Sequence, residues 1–310
     1  MLRQAVDTYL AVRRAADFKL DAVERYLRSF AQFATAQGDT HVVTHTAIAW
    51  AEQGASEPQR HNRLSVVVRF ARFSHAEDPR HEVPPGRLFY GQRRRRAPYL
   101  FREEDLHALL AQAARLGPPD SLRPHTYSTL LGLLAVTGLR ISEALALRFK
   151  DVTPDGLVIR ETKFRKSRLV PLHATATSAL QGYLAQRCEL ALDDDHVFVS
   201  GRRRPLSYFT VVDTFHQLLA AAGIPTDPER PRPRLMDLRH TFASRALETC
   251  PDGRDNIGRH MLALTTYMGH ARVKSTYWYL SSTPQLLGNI AQACEAFFKE
   301  ENAGHRLPPT

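Results

Sequence analysis

A histidine and a tyrosine near the carboxyl end of the chain have a spacing that could let them act together. His270 follows Gly269, and Tyr279 comes nine residues later. A glycine turn can bring an imidazole and a phenol hydroxyl into one pocket, where both could serve chemistry. Buried aromatics are also common in helices, and their hydroxyls usually find an ordinary partner. The pair therefore needs support from residues elsewhere in the chain.

Three basic residues in distinctive contexts provide that support. Arg140 begins a helical pattern after Thr137-Gly138, Lys163 lies at the tip of a predicted hairpin, and Arg239 lies on another predicted helix. Each has an ordinary explanation, such as a weak surface ion pair between Arg140 and Glu143 three residues on. Their order and contexts together favour a shared site.

The net charge indicates a polyanionic partner. Lysine and arginine number 42 against 32 acidic residues, a formal charge of +10. Much of the excess is arginine, whose planar fork suits phosphate, so nucleic acid is favoured over a membrane surface. A basic surface kept for solubility is the competing explanation.

Cysteine usage and hydropathy indicate the compartment. Cys188, Cys250 and Cys294 are widely spaced, which argues against a disulfide framework and a zinc site. The longest apolar run, Leu130–Leu139, is too short to span a bilayer. We expect a cytoplasmic protein with no membrane association and no bound metal.

Elements that could position these residues follow from apolar periodicity. Residues 1–78 predict a small all-helical domain of four helices, the third capped by Thr44 and the fourth covering Asn62–Phe73. Residues 79–98 predict a proline-containing basic linker. Its arginines could lie along a DNA backbone, or could be merely solvated: Arg93, Arg94, Arg95 and Arg96.

Residues 99–310 predict a second, mostly helical domain. Helices are expected from Phe101, from Pro124 to Val136, from Leu139, from Ala174 to about Leu192, from Phe209 to Ala222 and from Leu235. The segment Gly156–Leu172 changes to a β-hairpin with a basic tip. A final amphipathic helix is expected from Gln285 to about Lys299. The fold class is therefore mainly α (α+β), with a small antiparallel sheet.

The ordered motifs resemble those of the tyrosine recombinase (phage integrase) family. They are Thr137–Glu143 (TGLRISE), Leu238–Ala243 (LRHTFA), Gly269-His270 and Tyr279. The resemblance covers about Phe101 to Leu287, and the N-terminal helices resemble the family's core-binding domain in layout. It implies a site-specific recombinase or integrase of a mobile element, acting without a cofactor on double-stranded DNA as a homotetramer or a mixed recombinase assembly.

The resemblance also implies a role for each site residue. Tyr279 would be the nucleophile that forms a covalent 3′-phosphotyrosine. Arg140 and Arg239 would stabilise the charge on the phosphate, and His270 would hydrogen-bond it. Lys163 would protonate the leaving 5′-oxygen. Lys166 and Arg168 of the hairpin would contact DNA.

Some assignments stay open. Lys163 and Lys166 both lie at the hairpin tip, and counting back from Arg168 favours Lys163. Tyr277 and Tyr267 are rival nucleophiles, although the spacing from His270 favours Tyr279.

Met236 occupies the position where the family usually has a histidine, three residues before Arg239. A thioether cannot exchange a proton, so the proton of Tyr279 must leave by another route or the arginine-rich field must favour the phenolate. His240 is a poor substitute because adjacent helical residues point about 100° apart. Two alternatives remain: a nicking enzyme resembling type IB topoisomerases, and a DNA-binding homologue with weakened catalysis.

Overall fold

The computed structural model describes residues 1–18, 20–89, 97–118, 120–160, 167–190, 193–224, 232–249, 254–269 and 276. The chain forms two compact units, Met1–Arg95 and Arg96–Thr310. The division falls inside segment 79–98, and the domain limits at 78 and 98 stay predictions. The predicted fold class is confirmed, because both units are mainly helical and the second contains a small antiparallel sheet. None of the described helices is long and apolar enough to cross a membrane.

Four helices form the N-terminal unit: α1 (Leu2–Ala15), α2 (Asp21–Ala36), α3 (Thr44–Glu52) and α4 (Glu57–Glu77). Their apolar faces meet in one core, in which the rings of Phe30 and Trp50 pack edge to face with centroids 5.5 Å apart. Thr44 is the first residue of α3, and Val43 is its N-cap. Helix α4 begins earlier than Asn62, because Pro58 is well tolerated in a first helical turn.

The C-terminal unit contains the remaining described helices: α5 (Glu103–Ala113), α6 (Leu122–Thr137), α7 (Ile141–Leu145), α8 (Ala174–Glu189), α9 (Tyr208–Ala221), α10 (Leu235–Glu248) and α11 (Arg254–Tyr267). Helix α6 is central and contacts α5, α8 and α10. Its residues Leu130, Leu131 and Leu134 are almost fully buried in the core. Burial of this apolar helix on several sides makes it a rigid support for the turn that follows it.

The sheet has three antiparallel strands in the order β1 (Val152–Thr153), β2 (Gly156–Ile159) and β3 (Arg168–Val170). Strands β2 and β3 form the predicted hairpin, with Val158 paired to Leu169. The sequence missed β1, since two residues are too few to show alternation. The hairpin tip, residues 161–166, lies outside the described residues.

Candidate active site

A sharp turn between α6 and α7 positions Arg140. Gly138 ends α6 with φ 59° and ψ 23°, a left-handed conformation that glycine adopts at low cost. Arg140 then caps α7, and its backbone N–H donates to Glu143 Oε2 at 3.0 Å. Its side chain donates through Nη1 to Glu143 Oε1 at 2.7 Å. The ion pair expected from the sequence is therefore present, and it orients the guanidinium.

Helix α10 carries the second arginine into the interior. Arg239 is only 3% exposed, and burial of a charged group is costly unless its donors are satisfied. Its Nη1 donates to the carbonyl of Gly138 at 2.6 Å, and its Nη2 donates to the carbonyl of Met268 at 2.6 Å. These two main-chain acceptors fix the direction of the guanidinium.

Both arginines meet at the turn that precedes His270. Arg140 Nη2 donates to the carbonyl of Gly269 at 3.2 Å, and its Nη1 lies 3.5 Å from the carbonyl of Met268, which Arg239 also binds. Gly269 has a φ of 63°, in the region that favours glycine. Guanidiniums from distant parts of the sequence thus form one preorganised positive site, which suits stabilisation of charge on a phosphate.

Glu143 balances part of this charge. Burial opposes ionisation of the Glu143 carboxyl, but hydrogen bonds from Arg168 and Arg140 outweigh it and lower its pKa to about 2. The carboxylate is therefore ionised at neutral pH. Its partner Arg168, predicted from the sequence as a DNA contact, has a side chain only 10% exposed. That predicted contact stays a prediction.

Several predicted residues lie outside the described part of the chain: Lys163, Lys166, His270, Tyr277, Tyr279 and the linker residues Arg93, Arg94, Arg95 and Arg96. The nearest described residue to Tyr279 is Thr276, which is fully buried and has its Oγ1 2.9 Å from Oγ1 of Thr265 on α11. This contact holds residue 276 of the Tyr279 segment against α11.

The rival nucleophile Tyr267 has the environment of a packing residue. Burial raises the pKa of its phenol, which disfavours the nucleophilic phenolate. Its ring stacks on that of Phe242, with centroids 5.5 Å apart and planes 23° apart.

Met236 and His240 flank Arg239 on α10. Met236 is 42% exposed in the first turn of the helix. Burial lowers the pKa of His240, so its imidazole resists protonation. Met236 cannot exchange a proton, and burial disfavours the protonated form of the neighbouring His240.

Within the described residues, two side-chain groups have a separation that a metal ion could use: His41, Asp78 and His81, and Asp194, Asp195 and His196. In the first group, Asp78 is bound by Arg80, and His81 Nδ1 accepts the N–H of Val42 at 3.1 Å. When a histidine binds a metal through one ring nitrogen, the other nitrogen normally donates a hydrogen bond. His81 Nδ1 accepts one instead, so the group suits a structural role better.

An apolar groove lies beside the site, between β3 and α11. Its volume is about 490 Å³, and it is lined by Leu169, Arg259, Leu262, Ala263, Thr266 and Tyr267. Leu169 and Leu262 are 47% and 61% exposed. Exposed leucines around a groove mark a surface that can receive an apolar segment.

Sequence reasoning did not find the acceptors at this site. They are the carbonyl oxygens of Gly138, Tyr267, Met268 and Gly269, which carry no side-chain signal. It also did not pair Arg168 with Glu143. The glycine signals at 138 and 269 were the available indications of a close backbone approach.

Comparisons with known proteins agree with this geometry. The profile of the Phage integrase family matches residues 100–285. The candidate integrase/recombinase y4rB of Sinorhizobium fredii is 38% identical over 303 residues, covering 94% of this chain and 96% of that protein. Tyrosine recombinase XerD of Brucella abortus is 28% identical, covering 89% of this chain and 91% of that protein.

Solved structures share the fold. Among them is a lambda integrase tetramer bound to a Holliday junction, with a TM-score of 0.61 and 18% identity over 90% of this chain and 76% of that one. The structural likeness shows the fold, and the extent of the profile match and the identity to y4rB show the family. The chain belongs to the phage integrase family, the tyrosine-type site-specific DNA recombinases.

Proposed function

We propose that the protein cuts and rejoins double-stranded DNA through a covalent 3′-phosphotyrosine formed by Tyr279. The observation that carries this proposal is the meeting of Arg140 and Arg239 at Met268 and Gly269, directly before His270. An anion-binding pair at the start of the segment that leads to a tyrosine suits phosphoryl transfer to that tyrosine.

The chemistry needs neither a cofactor nor ATP. The Tyr279 hydroxyl attacks the scissile phosphorus, the bond from phosphorus to the 5′-oxygen breaks, and the leaving strand departs as a 5′-hydroxyl. The phosphate remains a diester, so a 5′-hydroxyl can later reverse the step on the same or another strand. Lys163 gives its proton to the leaving oxygen, and His270 hydrogen-bonds the phosphate.

Arg140 and Arg239 bind the non-bridging oxygens, where charge gathers in the transition state. Their guanidiniums are held by carbonyls before DNA arrives, so little reorganisation is needed during the reaction. With Met236 unable to take a proton, the proton of Tyr279 passes to solvent or to another group at the site, and the guanidiniums stabilise the phenolate.

The acting form is a homotetramer, or a mixed recombinase assembly, on two DNA duplexes. The lambda integrase tetramer on a Holliday junction supports this by analogy. The groove at Leu169 and Leu262 supports it physically, because the apolar sequence of residues 285–299, which lies outside the described residues, could fill it from a neighbouring copy. The arginines at 93–96 of the predicted linker neutralise DNA phosphates.

We place the protein in a mobile element, an assignment supported by its similarity to an integrase/recombinase. Neighbouring reading frames provide a direct test. Further recombinase genes beside this one agree with a transposable element, whereas an isolated gene points to phage integration or chromosome resolution.

A suicide duplex tests the nucleophile. The DNA site is first selected from a random duplex library, and a nick then traps the cleaved strand on the protein. Wild type and Tyr277→Phe should form the covalent adduct, and Tyr279→Phe should not. An adduct with Tyr279→Phe, together with none for Tyr277→Phe, would refute the assignment of Tyr279.

The salt dependence of binding tests the DNA contacts of the linker. Each phosphate contact contributes about 0.9 to the slope of log K against log salt. Replacing the four arginines at 93–96 by alanine should therefore lower the slope by up to about 3.6. An unchanged slope would contradict their role.

A further inference from the structure

Arg168 has the contacts of a residue that organises the site from inside. It begins strand β3, at the base of the hairpin. Its Nη1 and Nη2 donate to Glu143 Oε1 and Oε2 at 3.2 and 2.8 Å, a fork-to-fork pair. Its Nε donates to the carbonyl of Tyr267 at 2.7 Å. The two side chains of the pair are only 10% and 8% exposed, so little of either faces a DNA surface.

Glu143 is shared between two arginines. Its Oε1 also accepts from Arg140 Nη1 at 2.7 Å, and its Oε2 accepts the backbone N–H of Arg140 at 3.0 Å. With both guanidiniums present, one carboxylate faces two positive charges, and the three groups carry a net charge of +1. Without Arg168, Glu143 and Arg140 would form a neutral pair.

This difference in net charge affects Arg140, the group proposed to bind the phosphate. In a partly buried site opposite charges attract each other more strongly than they do in water, because the effective dielectric constant is lower. A carboxylate with no second partner would therefore hold Arg140 more tightly and cancel its charge towards DNA. Arg168 prevents this by occupying both oxygens of Glu143.

Arg168 also holds the turn that leads to His270. A Cβ atom placed on Gly269 would lie 2.7 Å from Arg168 Nη1 and 3.0 Å from its Cζ, too close for a real side chain. The guanidinium therefore occupies the space that glycine leaves. Through Glu143, Tyr267 and Gly269, one side chain joins the hairpin, the Arg140 turn and the end of α11.

We propose that Arg168 is a positioning residue for strand cleavage rather than a DNA contact. It keeps the positive charge of Arg140 available to the phosphate and seats the turn 267–269 against β3. The inference rests on the proposed function, since it assigns Arg168 to the cleavage step.

The test compares variants on the suicide duplex. Arg168→Met should lower the cleavage rate at saturating DNA by roughly 10- to 100-fold, the range typical of groups that support a reactive centre. Its salt slope should fall by no more than about 0.9, the share of Arg140, and should return to the wild-type value when Glu143 is also replaced by Gln. Arg168→Lys keeps the positive charge but not the forked guanidinium, so its cleavage rate should lie between those of wild type and Arg168→Met.

A double variant separates charge balance from simple structural support. Glu143→Gln combined with Arg168→Met removes the carboxylate together with its partner, so Arg140 regains its charge. This protein should cleave at least fivefold faster than Arg168→Met alone. A purely structural ion pair would give no such recovery, because the double variant lacks the pair as well.

Arg160→Met is the matched control. Arg160 follows β2 in the same hairpin and pairs with Asp151, its side chain 51% exposed. The variant loses the same charge, yet it should cleave within about twofold of wild type, because Arg160 is half exposed and pairs with Asp151 rather than with Glu143.

Three results would overturn the inference: a normal cleavage rate in Arg168→Met, a salt slope that stays lowered by about 0.9 in the double variant, as for a direct phosphate contact, or a double variant no faster than Arg168→Met. Melting curves of all variants identify any that fail to fold, and Arg168→Lys then replaces Arg168→Met. Absence of an adduct in wild type would instead refute the proposed function, so the two failures are distinct.

Discussion

Replacing Gly138 by alanine tests whether the turn between α6 and α7 is constrained as the structure indicates. Gly138 has a φ of 59°, and an added Cβ would lie 2.5 Å from Cδ1 of Phe242 and 3.2 Å from Sδ of Met268. Phe242 cannot move freely, because its ring stacks on Tyr267. The carbonyl of Gly138 also accepts a hydrogen bond from Arg239 at 2.6 Å. Alanine therefore disturbs both the backbone and its neighbours.

The expected loss of stability has two parts. A residue with a side chain in the left-handed region costs about 1–2 kcal/mol. Overpacking against Phe242 adds about 1–3 kcal/mol. The total of roughly 2–5 kcal/mol should lower the Tm by roughly 4–20 °C in a unit of about 200 residues.

Gly223 provides a matched control. It has a φ of 64°, just after α9, and nothing lies within 4 Å of an added Cβ. Gly223→Ala should therefore show only the backbone cost of about 1–2 kcal/mol. The difference between the two variants isolates the contact with Phe242.

Urea and thermal unfolding, followed by circular dichroism, measure both variants. Cleavage of the suicide duplex, well below either Tm, measures the site. Gly138→Ala should cleave at least tenfold more slowly than Gly223→Ala, because the carbonyl that orients Arg239 is displaced. Equal stability and equal cleavage in the two variants would refute the constraint.

Two further predictions concern other buried groups. Thr241 Oγ1 accepts the N–H of Phe101 at 3.0 Å and donates to the carbonyl of Asp237 at 2.8 Å. Thr241→Val leaves a buried N–H without that acceptor, so the free energy of unfolding should fall by about 1–3 kcal/mol. Thr241→Ser keeps the hydroxyl and should lose less stability. Equal losses in the two variants would contradict the reasoning. His81 is buried, and this burial lowers its pKa, so its contribution to stability is complete above about pH 6.5 and is lost as the pH falls through its folded-state pKa. His81→Asn should therefore lose less stability than wild type between pH 7.5 and pH 5. Urea unfolding midpoints, followed by Trp50 fluorescence in a Trp278→Phe background, measure the loss. Equal losses of stability in the two proteins would exclude His81 as a cause.

Local features of the fold were predictable because their causes are local. The glycine after Thr137 marks the end of α6, and the spacing of Arg140 and Glu143 predicts their contact. The hairpin of β2 and β3 follows from two apolar segments around a basic tip. In each case the deciding residues lie close together in the sequence.

The remaining parts of the site depend on distant partners. Arg168 binds Glu143 and Tyr267, which are 25 and 99 residues away, and Arg239 binds Gly138 across 101 residues. A basic residue in a hairpin reads equally well as a DNA contact, because sequence shows its charge without its burial. The roles of Lys163, His270 and Tyr279 stay predictions.

The three arginines bind the turn 267–269 through main-chain oxygens alone: Arg168 to Tyr267, Arg239 to Met268 and Arg140 to Gly269. Every residue type offers the same carbonyl, so the arginine contacts do not depend on which side chains stand at 267 and 268, which packing constrains instead. Inserting or deleting one residue within the last turn of α11 would instead rotate each carbonyl by about 100°. All three contacts would then be lost together. Natural variants of this protein should therefore keep their length here.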